Sequence, residues 1–292
     1  MQSKTRSRQG IKALMVPPPN GCAFCFQHKS NPRFLSIRGW GWTDRDQGRG
    51  EGTTRPRSGG GERGNLMTDR MYADVKTWNP FKGCLFDCVY CKPSFQLQAK
   101  RQKQNCMECY HYVPHGHPER LDDIPSAETV FVCGNGDISF CIEEYTESII
   151  QRVGRYPKKT FYFQSKRPDY FKPFLSQFPS NVILVTTLET NWDQGYRIIS
   201  KAPIPSKRYE QFRSLDYPRK VVTIEPVMDF DLDIFAGWIV DIKPEHVWIG
   251  FNSKPNQVQI PEPSKSKVLE FIELLKAQDI EVRGKDLRDI TG

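Results

Sequence analysis

The pattern of apolar and polar positions changes at about residue 75 of this 292-residue chain. Upstream there is little apolar periodicity. Downstream, short continuous apolar runs alternate with segments whose apolar residues recur every three or four positions. Continuous runs predict strands buried on both faces, and the longer spacing predicts helices packed on them. Strands are predicted at 74–78, 129–133, 160–163, 181–187, 220–224, 246–251 and 279–283, and helices at 92–103, 143–154, 170–178, 206–215, 232–242 and 265–278.

Strands and helices that alternate at roughly 30-residue spacing indicate βαβ units and a parallel sheet. We therefore predict an α/β fold, a partial (βα)6-type TIM-like barrel with parallel strands, within a domain spanning 67–292. A doubly wound open sheet is the alternative. In either fold, ligands bind at the carboxyl ends of the strands. Polar residues follow nearly every predicted strand: Asn135, Asp137, Gln164, Lys166, Glu189, Glu225, Asn252 and Lys285.

Residues 1–66 differ in composition from the rest of the chain. They contain 11 of the 21 glycines, and 12 Lys and Arg against 4 Asp and Glu, so they carry the whole net charge of +8. Such a Gly/Arg-rich segment cannot bury enough apolar surface to fold alone, and we predict a disordered extension. Met67 or Met71 is then a candidate for the working start. Binding of nucleic acid through this basic segment is one alternative function, and Cys22 and Cys25 form a C-x2-C pair that could bind metal.

The apolar runs and the cysteines of the sequence predict the cellular compartment. No apolar run is long enough for a transmembrane helix, and the N-terminus has no secretory apolar stretch, so we expect a cytoplasmic protein without a membrane partner. In a reducing compartment, nine cysteines indicate metal or redox chemistry rather than disulfides.

Three of those cysteines lie close together directly after the first predicted strand. Cys84, Cys88 and Cys91 have the spacing C-x3-C-x2-C, with Tyr90 just before the last. Iron–sulfur clusters normally take four thiolates. Three thiolates therefore predict a cluster with one iron open to another ligand.

This motif, placed on a loop after a first strand, resembles the signature of radical S-adenosylmethionine (radical SAM) enzymes. The resemblance implies a [4Fe-4S] cluster on the three cysteines, with SAM bound at the fourth iron. It also implies a reductant such as flavodoxin or ferredoxin, and hydrogen abstraction from an unknown substrate. The protein's part would be to place the cluster, orient SAM and exclude water.

More of the chain, about 75–290, is similar to an uncharacterised, phage-associated radical SAM-like family. The similarity rests on three short motifs at successive strand ends. They are Thr77-Trp78-Asn79-Pro80, Lys166-Arg167-Pro168 and Glu225-Pro226.

The superfamily resemblance also implies cofactor contacts. Tyr90 matches the aromatic near the adenine, and Gly134, Asn135, Gly136 and Asp137 match the turn that contacts the methionyl amino group, although Asp stands where Glu is usual. Glu189 falls where the ribose is held. Lys166 or Arg167 could bind the methionyl carboxylate. The alternative is that these residues are ordinary polar turns at strand ends.

A second group of candidate metal ligands follows within residues 105–124, which are otherwise predicted to be an irregular loop. Cys106 and Cys109 form a C-x2-C pair, with His111 and His115 nearby and His117 beyond them. This spacing suits a zinc site or an auxiliary cluster. Alternatively, the segment is a mobile loop with free thiols, or Cys106 or Cys109 supplies the fourth ligand of a closed, non-catalytic iron–sulfur or zinc site.

Overall fold

The computed structural model describes residues 75–285. The extension at 1–66, the start at Met67 or Met71 and the Cys22–Cys25 pair lie outside the described residues. Nothing in the structure therefore bears on these three predictions.

Nine strands are present in the described part of the chain. They are β1 Val75–Trp78, β2 Phe81–Lys82, β3 His115–Gly116, β4 Thr129–Val132, β5 Thr160–Gln164, β6 Val182–Thr187, β7 Lys220–Ile224, β8 His246–Gly250 and β9 Glu281–Lys285. Seven of them form one parallel sheet in the order β1-β4-β5-β6-β7-β8-β9, and β2 pairs with β3 antiparallel. The large sheet curls into half of a barrel. Because every strand runs in the same direction, all seven carboxyl ends lie along one edge.

Helices connect the strands of the large sheet. They are α1 Leu97–Ala99, α2 Met107–His111, α3 Glu143–Gly154, α4 Tyr196–Ile199, α5 Pro205–Arg213, α6 Leu232–Ile242 and α7 Lys265–Lys276. Helix α7 shows why such segments are helical. Its N-cap Ser264 accepts a hydrogen bond from the backbone N of Lys267 at 3.2 Å. The face that it buries consists of Val268, Phe271, Ile272 and Leu275.

The two faces of the sheet are packed differently. One face carries Val132, Phe163, Leu184 and Ile224, which belong to the large core under the helices. The other face carries a smaller cluster of Ile183, Val185 and Val221, against which Tyr162 and Trp248 pack. Apolar side chains on both faces explain the continuous apolar runs in the sequence.

The predicted α/β partial barrel is confirmed, and three local predictions differ from the structure. The helix predicted at 170–178 is a 3-10 helix at Pro168–Phe174. Residues 89–102 form a succession of short 3-10, π and α turns instead of one helix from 92 to 103. Phe95 and Leu97 are exposed there, so no apolar stripe packs to favour a regular helix. Residues 105–124 are not wholly irregular, because they contain α2 and β3. Within residues 75–285, no helix is long and apolar enough to cross a membrane.

Candidate cofactor site at the carboxyl edge of the sheet

The cysteine loop is fixed to the turn that follows β4. The backbone N of Gly83 donates to the carbonyl of Asn135 at 3.1 Å, and the N of Asp137 donates to the carbonyl of Gly83 at 3.1 Å. Asn79 reinforces this contact, because its Oδ1 accepts a hydrogen bond from the N of Asn135 at 3.0 Å. The motif at 77–80 thus holds the end of β1 against the end of β4.

Two glycines make this close approach possible. Gly83 has a φ of +89°, and a Cβ there would lie 2.2 Å from the carbonyl oxygen of Val113. A Cβ on Gly136 would lie 2.6 Å from the carbonyl oxygen of Gly83. Both contacts are shorter than van der Waals separation, so the loop entrance requires glycine at both positions.

The three thiols of the loop share a small apolar pocket. Cys88 is buried beside Phe86 and Ala202, while Cys84, Tyr90 and Cys91 are half-buried against them. Phe140, in the segment that follows β4, covers the pocket, and its ring centroid lies 4.7 Å from that of Phe86. The structure therefore brings together the three cysteines that the sequence predicts to bind a cluster.

The thiol of Cys88 is the most acidic of the three. A hydrogen bond from Cys91, the charge of Lys166 and a hydrogen bond from Ser200 lower its pKa to about 6, against the opposing effect of burial. Burial and the nearby Asp137 raise the pKa of Cys84 well above its usual value. The Cys88 Sγ lies 3.1 Å from the Oγ of Ser200, a residue 112 positions away.

Next to the thiols lies a buried network of charges and phenols centred on Glu189. The carboxylate of Glu189 is fully buried and accepts hydrogen bonds from Lys166 and Tyr90, from Arg208 at 2.6 Å and from Tyr196 at 3.2 Å. Lys166 also donates to the phenol of Tyr90, and its ammonium lies 4.7 Å from the centre of that ring. Tyr90, Lys166 and Glu189, predicted from the sequence as separate contacts, form one connected group.

Glu189 and Lys166 stay charged although they are buried. Burial would raise the pKa of Glu189, but Arg208 and Lys166 hold it well below its usual range. Burial would lower the pKa of Lys166, but Glu189 and Cys88 hold it above its usual value. The buried Glu189 carboxylate is therefore an anion that lies between the cations of Lys166 and Arg208.

Asp137 connects the ends of β4 and β5. Its Oδ1 accepts from the N of Ser139 at 3.0 Å, from the Oγ of Ser139 at 2.7 Å and from the Oγ of Ser165 at 2.7 Å. Its Oδ2 accepts from the N of Lys166 at 2.9 Å. Four donors from the protein thus surround a buried carboxylate. Its predicted contact with SAM stays a prediction.

The second group of candidate ligands differs from the predicted one by one histidine. The ligand atoms of Cys106, Cys109, His115 and His117 all lie within 4.8 Å of one another. His111 is outside this group, because it lies two residues after Cys109 on α2 and is therefore turned to another face, where it is exposed and contacts Tyr110. The thiols of Cys106 and Cys109 point to these imidazoles, so the structure does not favour either as a fourth ligand with Cys84.

The pocket is completed by Arg208, Tyr196 and Ser200, none of which is predicted from the sequence. Arg208 is completely buried although it belongs to a mostly polar helix. One signal was present in the sequence, since Arg208 lies four residues before Phe212 and so shares the buried face of α5. Tyr196 and Ser200 carried no comparable signal.

Comparison with solved structures identifies the fold. A spore photoproduct lyase variant is 10% identical over 76% of this chain and 79% of its own, with a TM-score of 0.52. Spore photoproduct lyase complexed with dinucleoside spore photoproduct gives 12% identity, the same coverage and a TM-score of 0.50. A radical SAM methyltransferase from Sphaerobacter thermophilus is 16% identical over 75% of this chain and 69% of its own, also with a TM-score of 0.50.

The chain shares the fold of these enzymes. This agrees with the fold that the radical SAM resemblance implies. No family model and no curated protein matches the sequence. Membership of the phage-associated family therefore stays a prediction.

Proposed function

We propose that this protein is a radical SAM enzyme, with a [4Fe-4S] cluster held by Cys84, Cys88 and Cys91 and SAM at the fourth iron. One observation carries the proposal. A three-thiol loop follows the first strand of a parallel half-barrel, at the edge where such sheets bind ligands, in a fold shared with a radical SAM methyltransferase.

The donor set and its surroundings fit this cofactor. Three thiols suit an iron–sulfur cluster that keeps one position for another ligand. Once bound, the cluster would supply one electron that breaks the sulfonium C–S bond of SAM, giving methionine and a 5′-deoxyadenosyl radical that takes a hydrogen atom from substrate. The electron would come from a flavodoxin- or ferredoxin-type reductant.

The chain's own residues would keep this site dry and electrostatically balanced. Phe86, Phe140 and Ala202 exclude water around Cys88. Ser200 is placed to donate a hydrogen bond to the Cys88 sulfur, and Lys166 brings a positive charge close to thiolates that would otherwise repel one another.

Lys166 is the best candidate for binding the carboxylate of SAM. An ammonium has three donors, and two of those on Lys166 are used by Glu189 and Tyr90. The third remains for an anionic group. We propose that Glu189, whose oxygens are already bonded to residues of the protein, positions Lys166 and Tyr90. The turn at Gly134, Asn135 and Gly136 is proposed to contact the methionyl amino group.

Anaerobic reconstitution with iron and sulfide tests the proposal. We expect about four irons per chain and an EPR signal of the reduced cluster that changes when SAM is added. Under dithionite, SAM should yield 5′-deoxyadenosine and methionine. A cluster that is indifferent to SAM and gives no 5′-deoxyadenosine would exclude the enzyme.

Two cysteine variants sharpen this test. Cys88→Ala should lose the cluster and the cleavage of SAM, because it removes one of three ligands. Cys141→Ala is the matched control, since Cys141 is also buried but lies outside the thiol pocket. Equal iron content in both variants would contradict the assignment of the ligands.

A further inference from the structure

Two thiols and two imidazoles converge beside the cysteine loop. The Nε2 of His115 lies 3.3 Å from the Sγ of Cys106 and 3.3 Å from the Sγ of Cys109, and the Nε2 of His117 lies 3.2 Å from the Sγ of Cys109. We propose that Cys106, Cys109, His115 and His117 form a structural Zn²⁺ site, separate from the proposed cluster and independent of it.

The separations between ligand atoms fit a single tetrahedral ion. Zn–S bonds of about 2.3 Å and Zn–N bonds of about 2.0 Å place neighbouring ligand atoms roughly 3.3 to 3.8 Å apart in a tetrahedron. The sulfur–nitrogen distances of 3.2–3.3 Å are slightly shorter than the roughly 3.5 Å expected for such a pair around zinc. Little movement would therefore be needed to admit the ion.

The outer nitrogens of both imidazoles have the partners that zinc ligands usually have. His115 Nδ1 lies 2.7 Å from the carbonyl oxygen of Val113, and His117 Nδ1 lies 2.7 Å from a carboxylate oxygen of Glu119. Each acceptor favours the proton on Nδ1, which leaves the Nε2 lone pair directed at the thiols. Backbone carbonyls and carboxylates hold metal-binding histidines in this way.

Local backbone structure explains how four separated residues meet. Cys106 is the N-cap of α2, and its Sγ accepts a hydrogen bond from the N of Cys109 at 3.4 Å. The helix ends at His111, and its C-cap Tyr112, with a φ of +59°, turns the chain back towards β3. This turn places His115, in β3, and His117, just after it, next to the thiols of Cys106 and Cys109.

The donor set selects zinc over the alternatives. Two thiolates and two imidazoles make a closed, four-coordinate S2N2 set, which is typical of structural zinc. Each thiol loses its proton on binding, so two thiolates balance the two positive charges of the ion. Such a neutral centre suits a site in which Cys109 and His117 are buried.

The site would stabilise the entrance of the cysteine loop. Strand β3 pairs with β2, so that His115 lies opposite Lys82. The N of His117 donates to the carbonyl of Pro80 at 2.6 Å, and the N of Cys84 donates to the carbonyl of Tyr112 at 3.2 Å. Zinc would therefore fix the segment that holds residues 80–84. This consequence for the cluster, unlike the zinc site itself, rests on the proposed function.

Metal analysis of the purified full-length protein tests the site. We expect about one zinc per chain by inductively coupled plasma mass spectrometry. Protein stripped with a chelator and titrated with Co²⁺ should show the d–d bands of tetrahedral cobalt and a thiolate charge-transfer band. Absence of zinc together with a cobalt spectrum lacking these bands would overturn the proposal.

Variants assign the ligands. Cys109→Ser and His117→Ala should lose the zinc, whereas His111→Ala should keep it, because His111 is exposed on the same helix but outside the group. Glu119→Gln should fold normally and bind zinc about 10- to 100-fold more weakly. Zinc loss from His111→Ala equal to that from His117→Ala, or unchanged zinc affinity in both Glu119→Gln and His117→Ala, would contradict the proposal.

Measurement of both iron and zinc in the cysteine variants distinguishes the zinc site from the proposed cluster. Cys88→Ala should lose iron and keep zinc. If Cys109→Ser removes iron from reconstituted protein while no zinc is found in the wild type, the group holds an iron centre and the zinc assignment is wrong.

Discussion

The Nη2 of Arg208 donates a hydrogen bond to the Oε2 of Glu189 at 2.6 Å, and neither side chain is exposed to solvent. Lys166 binds the other oxygen of the same carboxylate. This buried group joins the segment after β6 to helix α5 and to the segment after β5. It determines where Tyr90, next to the third cysteine of the loop, is held.

Removal of Arg208 should strongly destabilise the fold. Arg208→Met leaves Glu189 with one cation, and breaking a buried pair costs about 3 to 5 kcal/mol. Equilibrium urea denaturation measures this loss. Arg213→Met on the same helix is the control, since Arg213 pairs with Asp241 at the surface and should leave the midpoint nearly unchanged. Equal midpoints for the two variants would refute the structural role of Arg208.

Alanine at Gly83 should displace the entrance of the cysteine loop. The added Cβ meets the carbonyl of Val113 in a backbone conformation that already disfavours side chains. Gly195→Ala is the matched control, because Gly195 has a φ of +76° but open space around it, so that only the backbone cost of about 1 to 2 kcal/mol applies. The difference between the thermal unfolding temperatures of the two variants measures the destabilisation that comes from the steric clash. The prediction fails if Gly83→Ala unfolds at or above the temperature of Gly195→Ala.

Ser200 should tune the reduction potential of the proposed cluster. Hydrogen bonds to cluster sulfurs stabilise the reduced, more negative state. Ser200→Ala removes the hydroxyl 3.1 Å from the Cys88 sulfur and should make the potential more negative without loss of iron. Potentiometric EPR titration provides the measurement. Ser148→Ala is the control, at a half-buried serine of α3 whose hydroxyl donates to the carbonyl of Glu144 at 3.0 Å. An identical potential in both variants would show that Ser200 does not have this role.

His246 should make the fold less stable in mild acid. Arg283 can only donate, so the Nε2 of His246, 3.2 Å away, accepts and the ring is neutral. Burial, followed by the charge of Arg283, lowers its pKa to about 4. The unfolded state, with an ordinary histidine pKa near 6.5, therefore binds the proton first. This contribution to stability is present above about pH 6.5 and is lost as the pH falls towards 4.

A glutamine at position 246 tests this dependence. Between pH 7 and pH 5, the wild type should lose about 1 to 2 kcal/mol more stability than His246→Gln. Chemical denaturation at both values gives the comparison, with His111→Gln as an exposed control. Equal losses in the wild type and His246→Gln would show that His246 is not the group responsible.

The sheet was predictable because its strands are marked by local sequence alone. Val182–Thr187 and Lys220–Ile224 are almost uninterrupted apolar or β-branched runs, and the turns that follow them carry polar residues. The grouping of the three loop cysteines in one pocket was predictable for a similar reason, since all three lie within eight residues. Residues close in sequence can be grouped without knowledge of the tertiary structure.

Groupings that depend on tertiary contacts could not be predicted from the sequence. The choice between His111 and His117 depends on where α2 ends. The helix is followed by Tyr112 in a left-handed conformation, at a position where the sequence has no glycine to indicate such a turn. Ser200 approaches Cys88 across 112 residues, and an isolated serine gives no sign of such a partner. In the sequence, Arg208 resembles a solvent-exposed helix residue. Its only sign of burial is that it lies four residues before Phe212, on the same face of α5.

The long separation between Cys88 and Ser200 has a consequence for biosynthesis. The sheet adds its strands in chain order, so each new βα unit can pack on the one before it as the chain is made. The thiol loop emerges early, but Ser200, Ala202 and Arg208 emerge only after three more strands of the large sheet, β4, β5 and β6, have been synthesised. During translation the nascent loop would therefore stay open to solvent and oxidants, and its pocket would close late.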